Sequence, residues 1–143
     1  GWIHYLLNMM AFACLPFIFP QVKNRYLVAL LLLLPPLVSL SFYYFYPHVE
    51  AYAGLSGILH GMYIAVSIYC LQFKKERKFA VLVIALATAK IAWENLFGSL
   101  ETSQLIGSPV LVEAHFLGSI WGGVLALIYF VYAFFKQGLW SKS

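Results

Sequence analysis

Hydrophobic and polar positions along the chain alternate on the scale of whole segments. Five apolar runs stand out, Trp2–Phe19, Tyr26–Tyr46, Leu55–Phe73, Phe79–Phe97 and Ala114–Phe135, separated by short polar stretches. Each run approaches the roughly 20 residues that a helix needs to cross a bilayer, so the pattern predicts five membrane-spanning helices. Pro16 and Pro20 mark the end of the first run, and Pro35 with Pro36 predicts a kink in the second. No internal repeat or low-complexity linker divides the chain, so residues 1–143 are expected to form one membrane domain.

The charges orient these spans. Lys23 and Arg25 follow the first run, Lys74, Lys75, Arg77 and Lys78 follow the third, and Lys136 and Lys142 follow the fifth. Alternating spans place all three clusters on one side, which the positive-inside rule makes cytoplasmic. Glu50, Glu101 and Glu113 fall on the opposite side. The first, third and fifth helices therefore start at the outer face, and their early polar residues share one depth: His4 and Asn8, then Ser56 and His60, then His115.

Composition agrees with this class. The 143 residues are 63% hydrophobic and only 10% charged, with a mean hydropathy of +0.85, whereas an ordinary soluble chain is about a quarter charged. The chain begins at Gly1 with no recognisable signal peptide, which fits a fragment or a processed product. Cys14 and Cys70 lie in apolar runs and read as small buried hydrophobes, with no disulfide or metal pair expected. The chain contains no aspartate, which removes one common form of catalytic triad.

What remains is a compact set of polar residues with chemistry available to it. His4 and Asn8 are one helical turn apart, as are Ser56 and His60. Gly57 and Gly61 on the third helix, and Gly118 and Gly122 on the fifth, form smooth strips that let two membrane helices approach closely. Contact between the strips would bring Ser56 to His115. A serine beside a neutral histidine suffices for nucleophilic acyl transfer. His60 would stack on His115, giving a dyad that needs no carboxylate. His4, Asn8 and the Ser56 N–H would hydrogen-bond the oxyanion, and Gly54 would allow the tight turn into the helix.

Three motifs, "HYLLN" (His4, Asn8), "GLSG" (Gly54 to Gly57) and "AHFLGSIWG" (His115, Gly118, Gly122), resemble in content and order those of rhomboid intramembrane serine proteases. The resemblance implies an all-α, rhomboid-like bundle with Ser56 as nucleophile, His115 as general base and His4 and Asn8 in the oxyanion hole. It also implies six helices, so either one upstream helix is missing from this chain or the count of five falls one short. Many rhomboids carry tyrosine where this chain has His60. "GLSGILHG" and "EAH" together resemble the rhombosortase subfamily. That likeness implies an extracytoplasmic site in a bacterial inner membrane. The substrates would be exported proteins, membrane-anchored through GlyGly-type C-terminal sorting segments. The implied partners are lipids and such substrates, without nucleic acid, metal or organic cofactor.

Other signals have blander readings. Lys90 and Glu94, four apart in the fourth run, read as a mutually neutralising pair, and His48 as a solvated loop residue. Glu113 serves either to orient a loop or substrate, or only as a wet boundary residue. The aromatics of "SFYYFYP", with Trp121 and Trp140, are expected among interface anchors and lipid-facing packing. The stretch Gly98 to Val112 is a connection or a mobile cap whose "PVLV" could pair with a substrate strand. Two rival functions are a catalytically inactive binder of transmembrane segments and a metal or haem protein ligated by His4, His60 and His115.

Overall fold

The computed structural model describes residues 2–46, 55–97 and 112–137, apart from the side chains of His4 and Gln137. Gly54, His48, Glu50, Glu101 and nearly all of the stretch Gly98 to Val112 lie outside the described residues. Within them the chain forms five helices: α1 (Trp2–Ile18), α2 (Asn24–Phe45), α3 (Leu55–Cys70), α4 (Lys74–Phe97) and α5 (Val112–Gln137).

Helix α3 is the axis of the bundle. It touches each of the other four helices, and eleven of its residues are buried, from Gly57 to Cys70. Its glycines explain the closest of these contacts. A Cβ on Gly57 would lie 2.8 Å from the Ala114 carbonyl oxygen, and one on Gly118 or Gly122 would strike the carbonyl of Gly57 or Gly61. The α3 and α5 backbones are thus in direct contact along the two predicted strips. Polar side chains add cross-links, among them Tyr63 Oη donating to the Ala11 carbonyl at 2.7 Å and Trp121 Nε1 donating to Ser41 Oγ at 2.7 Å. Trp121 is half-buried, packed against the core and bonded to α2.

The five apolar runs are all helical, but they are not five equal spans. Among the described residues, three helices are long and apolar enough to cross a membrane: Asn24–Phe45, Lys74–Phe97 and Val112–Lys136. The apolar parts of α1 and α3, Tyr5–Ile18 and Leu55–Cys70, are shorter. At 1.5 Å per residue, α3 rises about 24 Å, less than the ~30 Å hydrocarbon thickness. Its neighbours supply the difference: a helix enclosed by protein has no need to match the lipid. Helix α4 begins earlier than the apolar run because its polar first turn, Lys74 to Arg77, is helical too. Pro35 and Pro36 lie within a helix that continues through them. Cys70 is buried as expected, whereas Cys14 is exposed on α1, on a helix whose outer face also shows Phe17 and Met10.

Candidate active site

Three helices converge on one polar cluster. Ser56 stands in the first turn of α3 with His60 one turn further on; His115 lies in the first turn of α5; Lys90 and Glu94 occupy the last two turns of α4. Because α4 runs opposite to α3 and α5 in an alternating bundle, its end meets their beginnings. His115 and Glu94 are each only 3% exposed.

The hydrogen bonds form a continuous chain. Ser56 Oγ is 2.7 Å from His115 Nε2. His115 Nδ1 is 2.9 Å from Glu94 Oε1 and 3.1 Å from Oε2. Glu94 Oε2 accepts from Lys90 Nζ at 2.9 Å, and Lys90 Nζ is also 2.8 Å from His60 Nε2. His60 Nδ1 closes the loop at 2.7 Å from the Ser56 carbonyl oxygen.

This connectivity assigns the protons. A carboxylate only accepts, so His115 carries its hydrogen on Nδ1 and leaves Nε2 free to accept from the Ser56 hydroxyl. A backbone carbonyl also only accepts, so His60 carries its hydrogen on Nδ1, and its Nε2 takes a hydrogen from the Lys90 ammonium. The arrangement accommodates both imidazoles in their neutral forms, and the Lys90 and Glu94 charges are paired. The His60 ring lies over that of His115, centroids 3.9 Å apart and planes 15° from parallel, as the sequence predicts.

A cavity of about 320 Å³ opens beside Ser56, between α1, α3 and α4. Asn8, Ser56, His60 and Lys90 give it a polar edge, and Leu59, Val83 and Leu86 are among its apolar walls. Asn8 thus faces the same space as the nucleophile. His4 lies one turn before it on α1, its side chain outside the described residues. Gly57 and Gly118 lie in the α3–α5 contact just below Ser56 and His115. Glu113 is half-buried in the first turn of α5, where the helix dipole favours a carboxylate.

His60, Glu94 and His115 also offer ligand atoms within 4.8 Å of one another. They do not suit a resident metal. Lys90 Nζ already occupies the space against two of the three, and His115 is tied to Ser56. A cation there would have to displace an ammonium.

Glu94 is the member of this cluster whose contact with His115 the sequence reading missed. Its ion pair with Lys90 is present as expected, but the pair does more than neutralise itself, because the carboxylate bridges to the histidine on α5. The signal was available: in an alternating bundle, a glutamate near the end of the fourth helix lies level with the starts of the third and fifth.

Comparison with known proteins gives one match. The model of the Rhomboid domain family matches residues 1–132. No curated protein and no solved structure matches the chain.

Proposed function

The chain belongs to the rhomboid family, and on that premise we propose that it is an intramembrane serine endopeptidase with Ser56 as nucleophile and His115 as general base. It is an integral membrane protein, with three helices long and apolar enough to span, in a family whose members are in general intramembrane serine proteases. The observation that carries the catalytic assignment is the 2.7 Å contact between Ser56 Oγ and His115 Nε2, the ring nitrogen opposite the one that meets Glu94.

The chemistry follows from that contact. As Ser56 Oγ attacks the scissile carbonyl carbon, its proton passes to His115 Nε2. The oxyanion is met by Asn8, His4 and the Ser56 N–H. His115 then gives the proton to the leaving amine, and a water activated by the same ring releases the acyl group from Ser56. The apolar cavity beside Ser56 suits a peptide that unwinds locally from a membrane helix.

The substrate class follows from the rhombosortase likeness of "GLSGILHG" and "EAH". The substrates are exported proteins anchored in a bacterial inner membrane by a GlyGly-type C-terminal segment, and the cut is made near the periplasmic face. The test is cleavage of such a substrate by the purified chain reconstituted in lipid. The unsubstituted protein cuts it, whereas Ser56→Ala and His115→Ala do not. Cleavage by Ser56→Ala refutes the reading.

A further inference from the structure

Glu94 and Lys90 stand outside the mechanism above, in which a serine and a histidine suffice. A carboxylate inside an apolar bundle is costly unless charge and hydrogen bonds both satisfy it. Here each is satisfied in a way that bears on the base. Glu94 Oε1 takes the His115 Nδ1 hydrogen at 2.9 Å, and Oε2 takes one from Lys90 at 2.9 Å. Lys90 also holds His60 Nε2 at 2.8 Å, and His60 is the ring stacked on His115. One ammonium thus pins both the carboxylate behind the base and the imidazole above it.

We propose that Glu94 is a positioning residue that extends Ser56–His115 to a serine–histidine–glutamate triad, with Lys90 as the counter-ion that keeps it in place. The proposal rests on the serine-peptidase reading. When Ser56 Oγ bonds to the substrate carbon, its proton moves to His115 Nε2 and the ring becomes imidazolium. The Nδ1 proton stays on the ring, held by Glu94, whose negative charge stabilises the new cation without itself being protonated. Without Lys90, the only counter-charge that the described residues offer the carboxylate is a protonated His115, and a protonated His115 cannot act as base.

The test measures fluorophosphonate labelling of the full chain in detergent as a function of probe concentration. Glu94→Gln, which keeps the shape and one acceptor oxygen, lowers the maximal labelling rate constant roughly 10²- to 10⁴-fold. The half-saturating probe concentration is unchanged, and Glu94→Asp recovers part of the rate. Lys90→Met slows labelling in the unsubstituted background but changes little once Glu94 is Gln, the non-additivity expected of groups acting as a unit. A merely structural role lowers the labelled fraction at an unchanged rate constant, and that result overturns the proposal. So does Glu94→Gln labelling within about threefold of the unsubstituted rate while Ser56→Ala stays unlabelled, an outcome that leaves the peptidase reading standing. Labelling of Ser56→Ala at the unsubstituted rate overturns both.

A second observation is independent of the first. At the far end of α3 from Ser56, about 20 Å along the helix, a cavity of about 410 Å³ opens between α2, α3 and α5. Tyr26, Tyr69 and Tyr129 form its floor, with ring centroids 4.6–5.3 Å apart, and Lys23, Arg25 and Lys136 stand exposed at its rim. No carboxylate is among its lining residues. Lys136 Nζ lies over the Tyr132 ring, 5.6 Å from its centroid, and donates to Tyr132 Oη at 3.3 Å, both residues lining the cavity. The bordering helices α2 and α5 also expose leucines, Leu32 and Leu127, that suit acyl chains.

We infer that this cavity seats the phosphate head of an anionic phospholipid, the ligand that basic pockets at the membrane-water level of a bundle select. Native mass spectrometry of the detergent-solubilised chain, titrated in turn with phosphatidylglycerol, phosphatidylcholine and inorganic phosphate, tests it. Phosphatidylglycerol is retained at least tenfold better than phosphatidylcholine. The triple variant Lys23→Gln, Arg25→Gln, Lys136→Gln loses that preference, and the charge-matched triple Lys74→Gln, Lys75→Gln, Lys78→Gln keeps it. Equal loss in both triples means a diffuse field and overturns the site. Displacement of the lipid by inorganic phosphate at equal concentration overturns the lipid assignment.

Discussion

Glu94 on α4 accepts the Nδ1 hydrogen of His115 on α5 across 2.9 Å, and this one bond determines which face of the imidazole can take a proton. With Nδ1 committed, Nε2 points its lone pair at Ser56 Oγ, 2.7 Å away. Reversing the tautomer would turn Nε2 into a donor to Ser56 Oγ, unable to take its proton, and would face an Nδ1 lone pair against Glu94, leaving Lys90 as the carboxylate's partner. Three helices that enter the bundle separately are therefore joined by their protonation states as well as by packing.

The stack of His60 on His115 predicts a graded effect. An aromatic pair contributes about 0.5–1.5 kcal/mol beyond simple burial, so His60→Ala lowers the labelling rate constant about 2- to 10-fold with the protein still folded. His60→Tyr, which restores a flat ring, recovers part of that loss. A His60→Ala variant as fast as the unsubstituted protein removes the stack from the account.

Asn8 faces the cavity beside Ser56. Loss of one oxyanion donor costs about 2.7–4 kcal/mol in the barrier, or 10²–10³ in turnover. Asn8→Ala should fall in that range for peptide cleavage while the substrate concentration at half-maximal rate changes little. A change confined to that concentration would make Asn8 a binding residue instead.

The helix contact can be probed with two alanines five residues apart on α5. A Cβ at Gly118 would run into the Gly57 carbonyl, whereas one at Gly123 meets nothing closer than Ile64 Cγ2 at 3.9 Å. Overpacking typically costs about 1–3 kcal/mol, and here the obstacle is backbone, which cannot step aside. Gly118→Ala should lower the thermal midpoint in detergent by several degrees, and Gly123→Ala should leave it in place.

Trp121 Nε1 donates to Ser41 Oγ at 2.7 Å, and Ser41 is 5% exposed. Trp121→Phe strands that hydroxyl, at a cost of about 1–3 kcal/mol. The bond lies between α2 and α5, outside the Ser56–His115–Glu94–Lys90–His60 hydrogen-bond cluster, so the thermal midpoint falls while labelling per folded molecule is retained.

Much of this arrangement was legible in the residues. The five apolar runs became the five helices of the described chain, because segments of that length and composition have few alternatives to a helix in a membrane. The glycine strips predicted the α3–α5 contact, since small residues at helical spacing have a direct geometric consequence. Three things were not legible. The shortness of α3 depends on its enclosure by neighbours, and run length alone does not show which helix is surrounded. The bond from Trp121 to Ser41 depends on a rotation of α5 that a tryptophan in an apolar run does not disclose. The bond from Glu94 to His115 was hidden behind a correct local observation: Lys90 and Glu94 are a pair, but an i,i+4 pairing uses only part of a carboxylate's capacity. The free oxygen lone pairs, and the depth at which α4 ends, pointed to the neighbour on α5.

The central claim is that Ser56 is made nucleophilic by His115. Intact-mass measurement and peptide mapping after fluorophosphonate treatment test it most directly. A single phosphonyl adduct on the peptide containing Ser56 is expected in the unsubstituted chain, and none in His115→Ala. An adduct on another serine, or undiminished modification of Ser56 in His115→Ala, contradicts it.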